Sequence, residues 1–270
     1  MNIYNNILFF LFASLRAKET DAVEISGLLR LYRGEGNLDD SIGNYDMTGT
    51  PTGISFPLLH EPYPSGKARQ VAKFTAEGRG FASATGLPEG NAARTIVGWF
   101  KQSCVSLPAV SQRPFGYGST GTESCGEAFY IQNDFPFSDN FGILAYGYAD
   151  SCFYSIFIAE CDTWYHIAVA FDGTGTYDYV NGEMIDTIVQ PSTLTTKTNV
   201  GDGASAAMPM TLGYEGYVAD FGIFNRVLST TEVERIYNAP DGLQYIDPTT
   251  VPSQSPSINS ITQPEVGPCS

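Results

Sequence analysis

The pair Asn181-Gly182 constrains the fold of this chain more than any other two residues. Asn-Gly serves both φ > 0 positions of a type I′ turn, whose twist matches that of the two antiparallel strands it joins. Tyr177-Asp-Tyr-Val180 reads as the strand entering the turn, and residues 184–188 as the strand leaving it. Upstream, Cys161-Asp-Thr-Trp-Tyr-His-Ile-Ala-Val-Ala-Phe171 alternates bulky and small side chains, as a half-buried strand does, and Asp172-Gly-Thr-Gly175 reverses it. Residues 210–213 and 216–225 read as two more strands. The second runs into Ser229-Thr-Thr-Glu232, a capping box that opens one short helix, Thr230–Tyr237. Strand after strand with a single terminal helix is an all-β pattern. Alternation around Trp99 and Trp164 predicts that these two indoles meet at the centre of a sandwich, where Trp164→Ala would open a cavity.

Length and charge narrow the partners. A chain of 270 residues, 43% hydrophobic, holds one sandwich-sized domain with residues to spare. Against 29 Asp and Glu stand 14 Lys and Arg, a net charge of −15 that argues against nucleic acid and anionic membrane surfaces. Cations, neutral glycans and basic proteins stay open. Residues 7–15 form an apolar run of signal-peptide length, with Ala13 and Ala17 as small residues near a cleavage site. Arg16, Lys18 and Glu19 end it too early to span a bilayer. Residues 1–20 are therefore expected to be a signal peptide and the protein to be secreted, with a mis-started reading frame as the alternative. From residue 240 the texture turns to Pro, Ser and Thr, so 240–270 reads as a disordered linker or tail.

Five cysteines stand at 104, 125, 152, 161 and 269, none in a C-x-x-C pair, and only two histidines accompany them, which leaves a zinc site without support. Cys104 and Cys125 lie at the ends of neighbouring predicted strands, and Cys152 and Cys161 flank the apolar run 153–159. Four cysteines allow three connectivities. The two local disulfides, Cys104–Cys125 and Cys152–Cys161, are favoured over free buried thiols, with Cys269 left over.

The motifs Trp164-Tyr-His166-Ile-Ala168, Tyr179-Val-Asn181-Gly182, Gly216-Tyr-Val-Ala-Asp220 and Asn225-Arg-Val-Leu-Ser229 follow one another in an order that resembles the laminin-G-like/pentraxin branch of the concanavalin A-like jelly rolls. The loop Leu31-Tyr-Arg-Gly-Glu-Gly-Asn-Leu-Asp-Asp-Ser-Ile-Gly43 and the strand Thr95-Ile-Val-Gly-Trp99-Phe are similar to that family's first strand, first loop and first central strand. The resemblance covers residues 24–239. It implies a concanavalin A-like jelly-roll sandwich of two antiparallel sheets with one short C-terminal helix. It also implies a structural Ca²⁺ held between the early loop, at Asp39 and Asp40, and the acid of the last strand, Asp220. The same loop reads equally as an Asx-rich turn.

Catalysis finds little support. Glycosidases of this fold carry their acids in a Glu-x-Asp-x-x-Glu arrangement on one strand, whereas Glu160, Asp162, Asp178, Glu183 and Asp186 are scattered over strand ends and turns. His166 shares a strand face with Trp164 and is expected to be hydrogen-bonded structurally, and His60 to be exposed. The reading is a non-catalytic, extracellular carbohydrate-binding module, calcium-assisted where the Ca²⁺ is held, for an extracellular or cell-wall glycan. Tyr146 and Tyr148 are the candidate sugar platforms. A protein-binding adhesion module is the alternative.

Overall fold

The computed structural model describes residues 26–50, 52–103, 113–119, 127–131, 142–146, 152–157, 159–189, 194–209 and 214–243, and of 142–146, 152–156, 188, 189 and 200 the backbone alone. In chain order the first strands are β1 (Leu28–Tyr32), β2 (Thr48–Gly49), β3 (Ile54–Ser55), β4 (Leu58–Leu59), β5 (Arg69–Gln70) and β6 (Ala72–Phe74). Then come β7 (Gly80–Ser83), β8 (Arg94–Gln102), β9 (Gly116–Ser119), β10 (Glu127–Tyr130), β11 (Gly142–Tyr146) and β12 (Cys152–Ile156). The last are β13 (Trp164–Phe171), β14 (Gly175–Val180), β15 (Glu183–Val189), β16 (Ser205–Met208) and β17 (Gly216–Phe224), followed by helix α1 (Thr230–Tyr237).

Two antiparallel sheets make the two layers. The larger runs β15-β14-β13-β8-β17-β6-β3, with β1 also paired to β17, and the smaller runs β10-β9-β16-β7-β2. The Asn-Gly hairpin joins β14 to β15 as the turn chemistry requires, with Asn181 at φ 50° and Gly182 at φ 84°. Residues 210–213, predicted as a strand, lie outside the described residues. The strand just before them, β16, stands at the middle of the smaller sheet.

Pleating decides which side chains fill the interior. Along β8, Ile96 and Phe100 turn inward to meet Phe115, Tyr117, Phe129, Ala206 and Met208 of the smaller layer. Gly98, between them, lies opposite Ile167. A Cβ at Gly98 would come within 2.8 Å of the Phe115 ring, so its absence lets the two layers close. Val97 and Trp99 face the other way, out of the sandwich.

That outer face is covered in turn. Val233 and Ile236 of α1, with Leu228 and Leu243, pack on Leu31, Val97, Ala168 and Phe224. The predicted capping box is in place: Glu232 N–H donates to Ser229 Oγ (3.3 Å) and Ser229 N–H to Glu232 Oε2 (2.8 Å). Arg226 grips the same carboxylate with both Nη atoms, at 2.9 and 2.5 Å, and these bonds hold its pKa down at about 2.

One expectation is corrected here. Trp99 and Trp164 belong to a satellite cluster with Tyr63, Val71, Ala219, Tyr217 and Tyr237 on the outer face, and not to the interior between the sheets. The pleat places them on one common face, as expected, but it is the face turned away from the second layer. Near the end of the described chain, Leu243 is buried and its N–H donates to Asp220 Oδ2 (2.9 Å).

Candidate functional site

Strands β13 and β8 run antiparallel with Trp164 opposite Lys101 and His166 opposite Trp99, so these four side chains share the outer face. Helix α1 covers part of that face, and the chain between β4 and β5 reaches over another part. Between them an open cleft of about 390 Å³ remains, a size that suits a small ligand. Trp99, 5% exposed, contributes to its floor, and Trp164 and Tyr237 to its walls. Glu61, Pro62, Asp162, Thr163 and Asn181 complete the lining.

The hairpin turn builds one side of this cleft. Asn181 N–H donates to His166 O (2.8 Å), and His166 N–H donates to Asn181 Oδ1 (2.9 Å), which ties the turn to β13. A side chain at Gly182 would meet the Tyr237 ring at 3.0 Å. Glycine therefore serves both the turn and the approach of Tyr237. That ring sits 5.6 Å from Trp99 and 6.0 Å from His166, centroid to centroid, while Tyr63 abuts Trp99 edge-on at 6.4 Å.

The lining is acidic and aromatic. Glu61 and Asp162 stand in solvent at the rim. Lys101 Nζ lies 3.7 Å from Glu61, 5.4 Å from the Trp164 ring and 4.8 Å from the Tyr217 ring. The Trp164 Nε1–H is buried and has no acceptor among the described residues. Next to Trp99, His166 is 1% exposed, and burial pushes its pKa down to about 3, so the ring is neutral. Neither of its nitrogens has a partner among the described residues, in contrast to the hydrogen-bonded histidine expected from the sequence. His60 is exposed, as expected, with Nδ1 2.9 Å from Gly66 O.

The other predicted site residues fall elsewhere. Asp39 is exposed. Asp40 is buried, accepts N–H bonds from Leu31 (3.1 Å) and Ile42 (3.3 Å), and faces Arg30 at 3.8 Å. Asp220 is buried at a bulge of β17 with φ 49° and faces Arg33 at 3.7 Å. Among the described residues no three acids, histidines or cysteines gather into a metal cluster, and Asp40 and Asp220 each face a guanidinium. Burial raises Asp220 to about 6, with Arg33 pulling the other way. Tyr146 ends β11 with its side chain undescribed, and Tyr148, Cys104 and Cys125 lie outside the described residues, as does the Cys152 side chain. Glu160, Glu183 and Asp186 are exposed, and Asp178 is buried. Of Glu160, Asp162, Asp178, Glu183 and Asp186, Asp162 lines the cleft, where Glu61 joins it. Sequence reasoning assigned both tryptophans to the core and so missed the site. Their shared face with His166 was the available signal.

No curated protein sequence matches the chain. Among solved structures it is similar to domain 4 of AbnA, a GH43 extracellular arabinanase from Geobacillus stearothermophilus, solved with arabinotriose (TM-score 0.57, 18% identity, 77% of this chain and 96% of that one). It is also similar to the botulinum neurotoxin serotype D ligand-binding domain, solved with N-acetylneuraminic acid (TM-score 0.56, 10% identity, 78% and 50%). Trypanosoma rangeli sialidase is a third (TM-score 0.55, 17% identity, 82% and 34%). At these identities the likeness is one of fold. The chain spans nearly all of the arabinanase domain but only half of the toxin domain and a third of the sialidase. A family profile described as the concanavalin A-like lectin/glucanases superfamily, Laminin_G_3, matches residues 81–234, more than half of the chain. The chain belongs to this laminin-G-type family of the concanavalin A-like lectin/glucanases superfamily.

Proposed function

We propose that this protein is a non-catalytic, extracellular carbohydrate-binding module and that the cleft beside Trp164 is its sugar site. The observation that carries the reading is the pairing of aromatic walls, Trp164 and Tyr237, with hydrogen-bonding groups on Glu61, Asp162, Thr163 and Asn181 in one open cleft. Flat rings cover the apolar face of a sugar while polar neighbours take its hydroxyls. The arabinanase domain and the toxin domain, both solved with sugars, are in keeping with it.

A binding role fits the acids better than catalysis does. Both cleft carboxylates are solvated, whereas a general acid needs an apolar setting. Asp220, the acid that burial raises, is 2% exposed and closed off beneath Leu243, where no substrate reaches it. Secretion and disulfides belong to the same reading. Among the described residues no helix is long and apolar enough to cross a membrane. A protein-binding role has one observation in its favour: Met184 and Ile185 are 50% and 40% exposed on edge strand β15.

The test is binding of the full chain to arabinans, glucans, galactans and chitin, each with Ca²⁺ and with chelator. Trp164→Ala is expected to weaken the retained glycan by about tenfold or more, roughly 1.4 kcal/mol, while the domain stays folded. Glycan binding that is indifferent to Trp164→Ala and Tyr237→Ala would remove the cleft from consideration. Retention of no glycan alongside a specific protein partner would favour the β15 edge.

A further inference from the structure

We infer that the cleft selects a saccharide carrying a protonated amine, an amino-sugar unit, over neutral or acidic sugars. This deepens the carbohydrate reading and rests on it. The lining supplies two carboxylates, Glu61 and Asp162, and no cationic side chain. Neutral hydroxyls can donate to both carboxylates but gain nothing from their net charge, and an acidic sugar would be repelled by it. An ammonium, by contrast, gains from both the carboxylates and the electron-rich faces of Trp164 and Tyr237.

The protein already holds ammonium groups on this aromatic cluster. Lys101 Nζ sits over Trp164 and Tyr217, and Lys73 Nζ lies 5.5 Å from the Tyr217 ring. Lys101 also answers part of the Glu61 charge, at 3.7 Å. No salt bridge engages Asp162 among the described residues, so its charge is available to a ligand. Beyond the cleft, a net charge of −15 draws a polycation toward the surface and repels a polyanion.

The experiment is calorimetric titration of the full chain with tri-glucosamine, tri-N-acetylglucosamine and tri-glucose at mildly acidic pH, in low and high salt. The amine trimer is expected to bind at least about tenfold tighter than either uncharged trimer, with an advantage that shrinks as salt rises. The Glu61→Gln, Asp162→Asn double variant should lose that advantage. Asp202→Asn, which removes an exposed acid beside the smaller sheet, should keep it. If the uncharged trimers bind as tightly, or if Asp202→Asn costs as much as the double variant, the amine preference is refuted and the carbohydrate reading survives. If none of the three binds, the amine preference falls, and the polysaccharide panel decides the carbohydrate reading. Unchanged thermal melting of the variants separates lost recognition from lost folding.

Discussion

Arg94→Ala is expected to cost about 3–5 kcal/mol of folding stability, the scale of a large buried side chain truncated to alanine. Arg94 opens β8 at 0% exposure, and it is held by carbonyl groups and a phenol. Its Nε donates to Ala92 O (2.8 Å), Nη1 to Pro88 O and the Tyr117 hydroxyl (3.2 Å each), and Nη2 to Gly90 O. The Phe129 and Phe171 rings both lie 5.4 Å from the guanidinium carbon. Truncation removes a fully buried side chain, opens a void between two aromatic rings, and leaves the half-buried carbonyls of Ala92 and Gly90 without their donor. Arg94→Met refills most of the volume but leaves the same carbonyls unpaired, so it should lie between wild type and Ala. Urea midpoints measure the series. A loss under about 1 kcal/mol for Arg94→Ala would mean that water satisfies those carbonyls.

Acid titration of stability should show two buried groups working against each other. Burial pushes the His166 pKa down to about 3 from its ordinary 6.5. Above pH 6.5 the ring is neutral in both states. As pH falls below that, the unfolded chain takes up a proton that the native ring refuses, so stability is lost by about 1.4 kcal/mol per pH unit until about pH 3. Asp220 behaves oppositely, because burial raises it from 3.8 to about 6. Its contribution is greatest below pH 3.8 and is lost as pH rises through about 6, by roughly 3 kcal/mol in all. Between about pH 4 and pH 6 the two slopes largely cancel in the wild type. His166→Phe should expose the Asp220 slope, with stability falling as pH rises through that window. Asp220→Asn should expose the His166 slope, with stability falling as pH drops. The low carboxyl pKa values of Asp172 and Glu232, each about 2, are common to every variant and drop out of the differences. Parallel profiles for all three proteins, from urea melts across the window, would contradict both assignments.

Much of the architecture was legible because its signals are local. Asn181-Gly182 dictates a turn from backbone sterics alone, and Ser229-Thr-Thr-Glu232 closes its own hydrogen bonds within four residues, so both appear where the sequence placed them. Alternation through β13 and β8 likewise announced strands, and which side chains share a face, without any knowledge of neighbours. Alternation is symmetric, however: it divides a strand into two faces and does not say which one meets the second sheet. Alternation read with Trp99 and Trp164 facing inward picks the wrong one of the two faces, since the interior is filled by Ile96, Phe100, Ile167 and Val169, with Gly98 admitting Phe115. Long-range pairing also sets what surrounds the buried acids: β1 lies beside β17, with Arg33 facing Asp220, while Arg30 faces Asp40.

The sequence by itself determined the strands, the turn, the helix and the family, because these rest on residue-by-residue backbone preferences and on motifs a few positions long. Only the tertiary structure decided the site. The cleft exists where α1, the chain between β4 and β5, and the Asn181 turn leave part of the large sheet's outer face uncovered. Its aromatic and acidic residues come from positions as distant as Glu61 and Tyr237, and long-range packing alone brings them together.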